Sequence, residues 1–269
     1  MAIGGGALAV GSLTGLYFVW YADYPQSSFH FVNDNQNWGM MDKVGHATTT
    51  YAVGQVGYDM LKWSGVSENK AVWYGGLTGW SYLAIIEIMD GFSSNWGFSW
   101  GDFAFNTMGA ALFIGQQKAW QEQRFMLKWS YHATKYPQIR NDLVGDELIG
   151  NGWTSEWLKD YNGQTYWLSV NPWSFTKNEN NWWPRWLNVA GGYGIDGFVT
   201  ATGKPLNGAE DIVSQQQYYL SLDVDLRKIK MKSGFWKTLL HTISFIKIPA
   251  PTIEFNQHNG GTKFYWLYF

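Results

Sequence analysis

The chain has 269 residues, a formal net charge of -2 and no cysteine, and only 15% of its residues are charged while 19% are aromatic. The near-neutral balance excludes a nucleic-acid partner, which needs a strongly basic face, and the missing thiols exclude disulfides and thiolate metal sites. With charge well below the roughly 25% of an ordinary globular chain, the 18 Trp and 16 Tyr point to a lipid membrane as a partner, because such rings sit between acyl chains and headgroup water.

A mean hydropathy of -0.25 is too polar for a chain that is membrane-embedded throughout, so the apolar part must be regional. Residues 3–21 supply the first element: apolar, Gly-rich and free of Lys or Arg, they read as a retained helix about long enough for a hydrocarbon layer of roughly 30 Å. Gly11 and Gly15 give it a GxxxG contact. Pro25 ends it, and residues 26–38, rich in Asn, Asp and Ser, read as a loop. Three helices follow at residues 42–63, 70–90 and 100 to about 124. Ser64-Gly65 closes the first and Gly91 the second, and Ser99 caps the third with Asp102 in its first turn. Gly75 with Gly79, then Ala111 with Gly115, repeat the small-xxx-small spacing of closely packed helices. Residues 1–130 therefore read as a four-helix bundle, transmembrane or buried.

Beyond residue 131 the apolar period moves towards two. Leu220, Leu222, Val224 and Leu226 alternate with Ser221, Asp223, Asp225 and Arg227, the pattern of an amphipathic strand over residues 218–228. Residues 165–170, 187–200 with a kink at Gly191-Gly192, 252–256 and 263–269 are further strands, and residues 235–246 form an amphipathic helix. Five strands are too few for a transmembrane barrel of about eight, so residues 131–269 are expected as an open sheet. The expected class is an α+β membrane protein.

The second helix starts with Asp42, Lys43 and His46, the third ends with Glu87 and Asp90, and the fourth starts with Asp102 and Asn106. Each pair is three or four residues apart and shares a helix face. Antiparallel connections bring these ends to one level, where gathered carboxylates repel unless a cation sits among them. Asp42, His46, Glu87, Asp90 and Asp102 are thus the expected ligands of a divalent metal ion. One imidazole with carboxylates suits zinc, manganese or iron, whereas oxygen donors alone suit calcium or magnesium, and the set leaves both open. Plain capping by Asp42, Ser99 and Asp102 is the competing account. His30, His132, His241 and His258 are scattered, with His30 beside Asn33, Asp34 and Asn35 a second candidate. No GxSxG, HExxH, P-loop or Rossmann motif supports a named reaction.

These same residues carry a family resemblance. Asp42-Lys43-Val44-Gly45-His46, Glu87 to Asp90, and Trp96-Gly97-Phe98-Ser99-Trp100-Gly101-Asp102-Phe103 with Asn106 and Gly109-Ala110 resemble the YfiM-type bacterial envelope proteins, and more distantly the VanZ-like proteins. The resemblance covers about residues 40–117 and implies an envelope location and a helical bundle. The longer tail is similar to Bacteroidota versions associated with the outer membrane, and Phe264 to Phe269 resembles the last strand of outer-membrane proteins. The leading expectation is a non-catalytic, metal-binding integral membrane subunit of an outer-membrane complex, such as a barrel-assembly or secretion machine. A metal-dependent hydrolase acting on lipid or cell-wall material is the alternative, and a soluble glycan binder with stacked tryptophans the third reading.

Overall fold

The computed structural model describes residues 2–22, 24–146, 148–150, 152–176, 182–256 and 261–269, with residues 2–9, 153 and 154 described by backbone alone; His258 lies outside the described residues. The chain forms two units, Met1–Asn35 with Thr49–Gln121 and Gln36–Thr48 with Glu122–Phe269.

The first unit is helical. It contains α1 (Ala2–Trp20), the short strand β1 (Phe31–Val32), most of α2 (Met41–Trp63), α3 (Glu68–Gly91), strand β2 (Phe98–Ser99) and α4 (Trp100–Trp120). Glycine decides how closely its helices meet. A Cβ on Gly79 of α3 would lie 2.2 Å from the carbonyl oxygen of Thr50, and one on Gly75 would lie 2.6 Å from the backbone nitrogen of Tyr58, so α3 packs backbone against α2. Gln117 Nε2 donates to Tyr58 OH at 3.1 Å and Thr50 Oγ1 donates to Asn106 Oδ1 at 3.2 Å, which sets α4 parallel to α2. β1 and β2 pair in parallel, Val32 opposite Ser99.

The expectation of an integral membrane protein built on transmembrane helices is overturned here. Among the described residues no helix is long and apolar enough to cross a membrane. The physical reason is in their sequences: α2 carries Asp42, Lys43, His46, Asp59 and Lys62, and α3 carries Glu68, Lys70, Glu87 and Asp90. The small residues that resembled membrane packing serve contacts between helices instead. Gly75 and Gly79 make such contacts, whereas Gly11, Gly15 and Gly115 have no atom within 4 Å of an added Cβ.

The second unit is built on one antiparallel sheet. Its elements are β3 (Phe125–Tyr131), α5 (Tyr136–Val144), α6 (Trp153–Lys159), β4 (Gln164–Val170), α7 (Trp173–Thr176), β5 (Leu187–Asp196), β6 (Gln215–Val224), α8 (Gly234–Thr242), β7 (Ala250–Asn256) and β8 (Thr262–Tyr268). The strands pair in simple sequence order from β3 to β8. The sheet curls strongly, because side chains on strands far apart in that order touch: Lys128 on β3 meets Asp223 on β6 at 2.7 Å, and Thr165 on β4 meets Tyr268 on β8 at 3.2 Å. The free edge of β3 is covered by residues 245–247, where Trp129 N–H donates to the Phe245 carbonyl and Lys247 N–H to that of Trp129.

The concave interior sets buried polar groups beside an aromatic cluster of Trp167, Tyr219 and Tyr268. Lys128, Ser169, Asn188, Asp223 and Lys247 are fully buried there. Ser169 Oγ donates to Asp223 at 2.6 Å, Asn188 Nδ2 donates to Ser169 at 2.9 Å, and the Lys247 ammonium sits 4.5 Å over the Trp167 ring. An apolar cluster of Trp38, Met41, Tyr136, Tyr166, Ile195 and Phe198 covers one end of the sheet's convex side.

Candidate functional site

Asp42 and His46 stand one turn apart at the start of α2, with His46 Nε2 3.7 Å from Asp42 Oδ1. Tyr161 OH donates to that same oxygen at 2.7 Å, and Lys43 Nζ donates to Asp42 Oδ2 at 3.1 Å. Burial works to raise the Asp42 carboxyl, but the neighbouring His46 and Lys43 charges and the Tyr161 hydroxyl outweigh it and hold it down to about 2. Gly45 makes room for this arrangement. A Cβ there would fall 2.6 Å from the hydroxyl of Tyr166, which instead donates to Gln164 Oε1 at 2.6 Å.

In the helical unit, Glu87 near the end of α3 and Asp102 in the first turn of α4 are both buried. They are joined through Ser99. Glu87 Oε2 accepts the Ser99 backbone N–H at 3.1 Å, and Ser99 Oγ accepts the Asp102 N–H at 3.2 Å while donating to Asp34 Oδ1 at 2.7 Å. The free amides that begin a helix thus find partners in Ser99 and Glu87. Asn106, fully buried one turn beyond Asp102, accepts from Thr50.

Of the five residues expected as ligands, Asp42 and His46 therefore share one face of α2, and Glu87 and Asp102 are linked through the α4 cap. Asp90 Oδ1 accepts from Tyr21 OH at 2.7 Å. His30 is occupied structurally, with Nε2 2.8 Å from the Trp96 carbonyl and Nδ1 3.3 Å from Ser27 Oγ. The sequence reading missed Thr50, Tyr161 and Tyr166. Tyr161 lies 119 residues from Asp42, so no local pattern announces their hydrogen bond. Asp34, noticed only as a neighbour of His30, reaches Ser99 through the β1–β2 pairing.

No curated protein and no solved structure matches the chain. Residues 29–115, from just before β1 to near the end of α4, match the family model described as a predicted periplasmic lipoprotein (DUF2279), which supports reading the chain as a bacterial envelope protein.

Proposed function

We propose that this envelope protein binds one divalent cation through Asp42, His46 and Asp102, and that the ion has a structural rather than a catalytic role. The spacing of the two helices carries the reading. α2 is unbroken from Met41 to Trp63, and the face that presents Thr50 to Asn106 carries His46 one turn earlier, just as α4 carries Asp102 one turn before Asn106. On α2 itself, the imidazole of His46 one turn from the Asp42 carboxylate is a donor pair that a transition ion takes.

The donor chemistry fits. An imidazole with two carboxylates favours zinc, manganese or iron over calcium or magnesium. Glu87 serves behind the ligands, its Oε2 engaged with Ser99, and Asp90 is left out because Tyr21 holds it. The finer likeness to YfiM-type and VanZ-like proteins, and a place at the outer membrane as part of a larger complex, belong to the same proposal.

Equilibrium dialysis of the full chain against Zn²⁺, Mn²⁺ and Ca²⁺, followed by element analysis, tests it. One bound equivalent of a transition ion is expected, lost in His46→Ala and Asp102→Asn while the circular dichroism spectrum is kept. A wild-type chain that takes up none of these ions overturns the proposal. Turnover of lipid phosphates by the loaded chain, abolished in His46→Ala, would replace the structural role by an enzymatic one.

A further inference from the structure

The convex side of the sheet is ordered in rows. Strand pairing sets Leu127, Leu168, Gly191, Leu220, Ile253 and Phe264 directly side by side across all six strands. Two residues away on one side lies the row Phe125, Val170, Val189 and Leu222, and two residues away on the other lies Trp129, Tyr166, Tyr193, Tyr218 and Phe255. No residue in these rows carries a charge. The rows are also open where the apolar cluster does not reach: Leu168 is 45% exposed, Leu220 47% and Phe264 52%.

Water does not explain this pattern. A sheet stabilised by water turns its apolar residues inward; here the inward side carries buried Lys128, Ser169, Ser221, Asp223 and Glu254 beside an aromatic cluster of Trp167, Tyr219 and Tyr268, while the outward rows are Leu, Val, Ile and aromatic. Apolar rows left open on the outer face, over an inner face that holds buried charges, belong to sheets whose outer face meets hydrocarbon.

Charge identifies the other margin. After β6, residues 227–237 contain Arg227, Lys228, Lys230, Lys232 and Lys237 and no acid. They lead into α8, where no described side chain is buried and Phe235 and Trp236 stand 69% and 52% exposed. A short helix with aromatic residues beside exposed lysines suits the layer of anionic headgroups.

We infer that the convex face of this sheet inserts into one leaflet of a lipid bilayer, with acyl chains against the rows centred on Leu168, Leu220 and Phe264 and anionic headgroups against Lys230, Lys232 and Lys237. The depth is limited by the rows themselves. The four steps from Tyr218 to Leu222 span about 13 Å at roughly 3.3 Å per residue, short of the roughly 30 Å of a full hydrocarbon core. The contact is made by the sheet and α8, and the long helices take no part in it. It is independent of the metal site.

The chain has no cysteine, so Leu168→Cys, Leu220→Cys and Phe264→Cys each introduce a single thiol for an environment-sensitive fluorophore, and Glu210→Cys in an exposed turn serves as control. With vesicles of phosphatidylethanolamine and phosphatidylglycerol bearing brominated acyl chains, the three row labels are expected to shift to the blue and to be quenched, and the control to do neither. Exchanging Lys230, Lys232 and Lys237 for Gln together is expected to weaken binding to these vesicles by roughly a hundredfold at low salt, taking about 1 kcal/mol per basic residue, with little change on neutral vesicles. Row labels that behave like the Glu210 control in a folded chain overturn the inference. So does quenching between labels that rises with protein concentration and ignores lipid, which assigns the face to a second copy. Unchanged binding of the triple variant removes the headgroup contact.

Discussion

Asp223 and Lys128 face each other at 2.7 Å with both side chains wholly out of water, and Lys128 also donates to the Val224 carbonyl at 2.8 Å. Removing one member strands the other in a medium that solvates it poorly. Asp223→Ala should therefore lower stability by about 3–5 kcal/mol, read from urea melts. The double exchange Lys128→Met with Asp223→Leu removes both charges and should recover most of that loss, since a buried pair and an apolar pair of similar volume are often near balance. A double variant as unstable as Asp223→Ala would mean that packing, not the stranded charge, sets the cost. Asp146 is a more exposed case with a pH signature. Burial works to raise its carboxyl, but hydrogen bonds from Arg140 Nε at 2.6 Å and from the second guanidinium nitrogen at 2.7 Å, with the charge of Arg140, hold it below the ordinary value. A depressed carboxylate adds stability that is complete above its unfolded pKa, near 4, and that fades as the pH falls through the lower folded value. Asp146→Asn should flatten the stability curve in that acid window. At neutral pH it should cost only about 0.5–1 kcal/mol, because the Asp146 side chain is 41% exposed and water screens the pair.

Within the helical elements, two glycines of similar sequence context give opposite expectations. A Cβ on Gly79 meets the Thr50 carbonyl at 2.2 Å and the Gly54 backbone nitrogen at 2.7 Å, and neither can give way without moving α2 from α3. Gly79→Ala should destabilise the chain by about 1–3 kcal/mol. An added Cβ on Gly115 of α4 meets nothing within 4 Å, so Gly115→Ala should stabilise it by roughly 0.5–1 kcal/mol through helix propensity alone; thermal melts of the two variants decide the matter. Sequence showed both glycines in one spacing and had no means of telling the packed from the open one. It did show the ends of α2 and the Ser99 cap that starts α4, since those depend on neighbours in the chain, while α4 stops at Trp120, short of the expected end near residue 124. It showed β6 through its alternation, but a period of two reports only that a strand has two faces and not which of them is inside. The alternation therefore did not tell that Leu220 and Leu222 stand on the outside. β3 falls between the helix expected to end near residue 124 and the strands expected beyond residue 131, because the inward Lys128 and Ser130 break the apolar alternation that marks a strand. The start of the candidate metal set was legible as Asp42 and His46 on one helix face, whereas Tyr161 and Tyr166 depend on a fold that no local signal encodes.

For the molecule as a whole, the distribution of polarity in the sheet unit has a consequence in solution that does not depend on identifying any ligand. Lys128, Asp223, Glu254 and Lys247 share the interior with Trp167, Tyr219 and Tyr268, and the remaining large apolar side chains of the same strands, Leu168, Leu220, Leu222 and Phe264 among them, are left outside. Contiguous exposed apolar surface associates in water. The full chain should therefore sediment as concentration-dependent oligomers in detergent-free buffer and as a monomer with bound detergent above the critical micelle concentration of a mild non-ionic detergent. Charges placed on the outer rows test the cause. Leu220→Lys and Phe264→Lys sit at exposed positions where substitution should change stability by no more than about 0.5 kcal/mol, and together they should shift the detergent-free sample towards monomer. A wild-type chain that is monomeric without detergent at all concentrations would show that the outward rows are not sticky, and would turn the polar interior into the feature that needs another explanation.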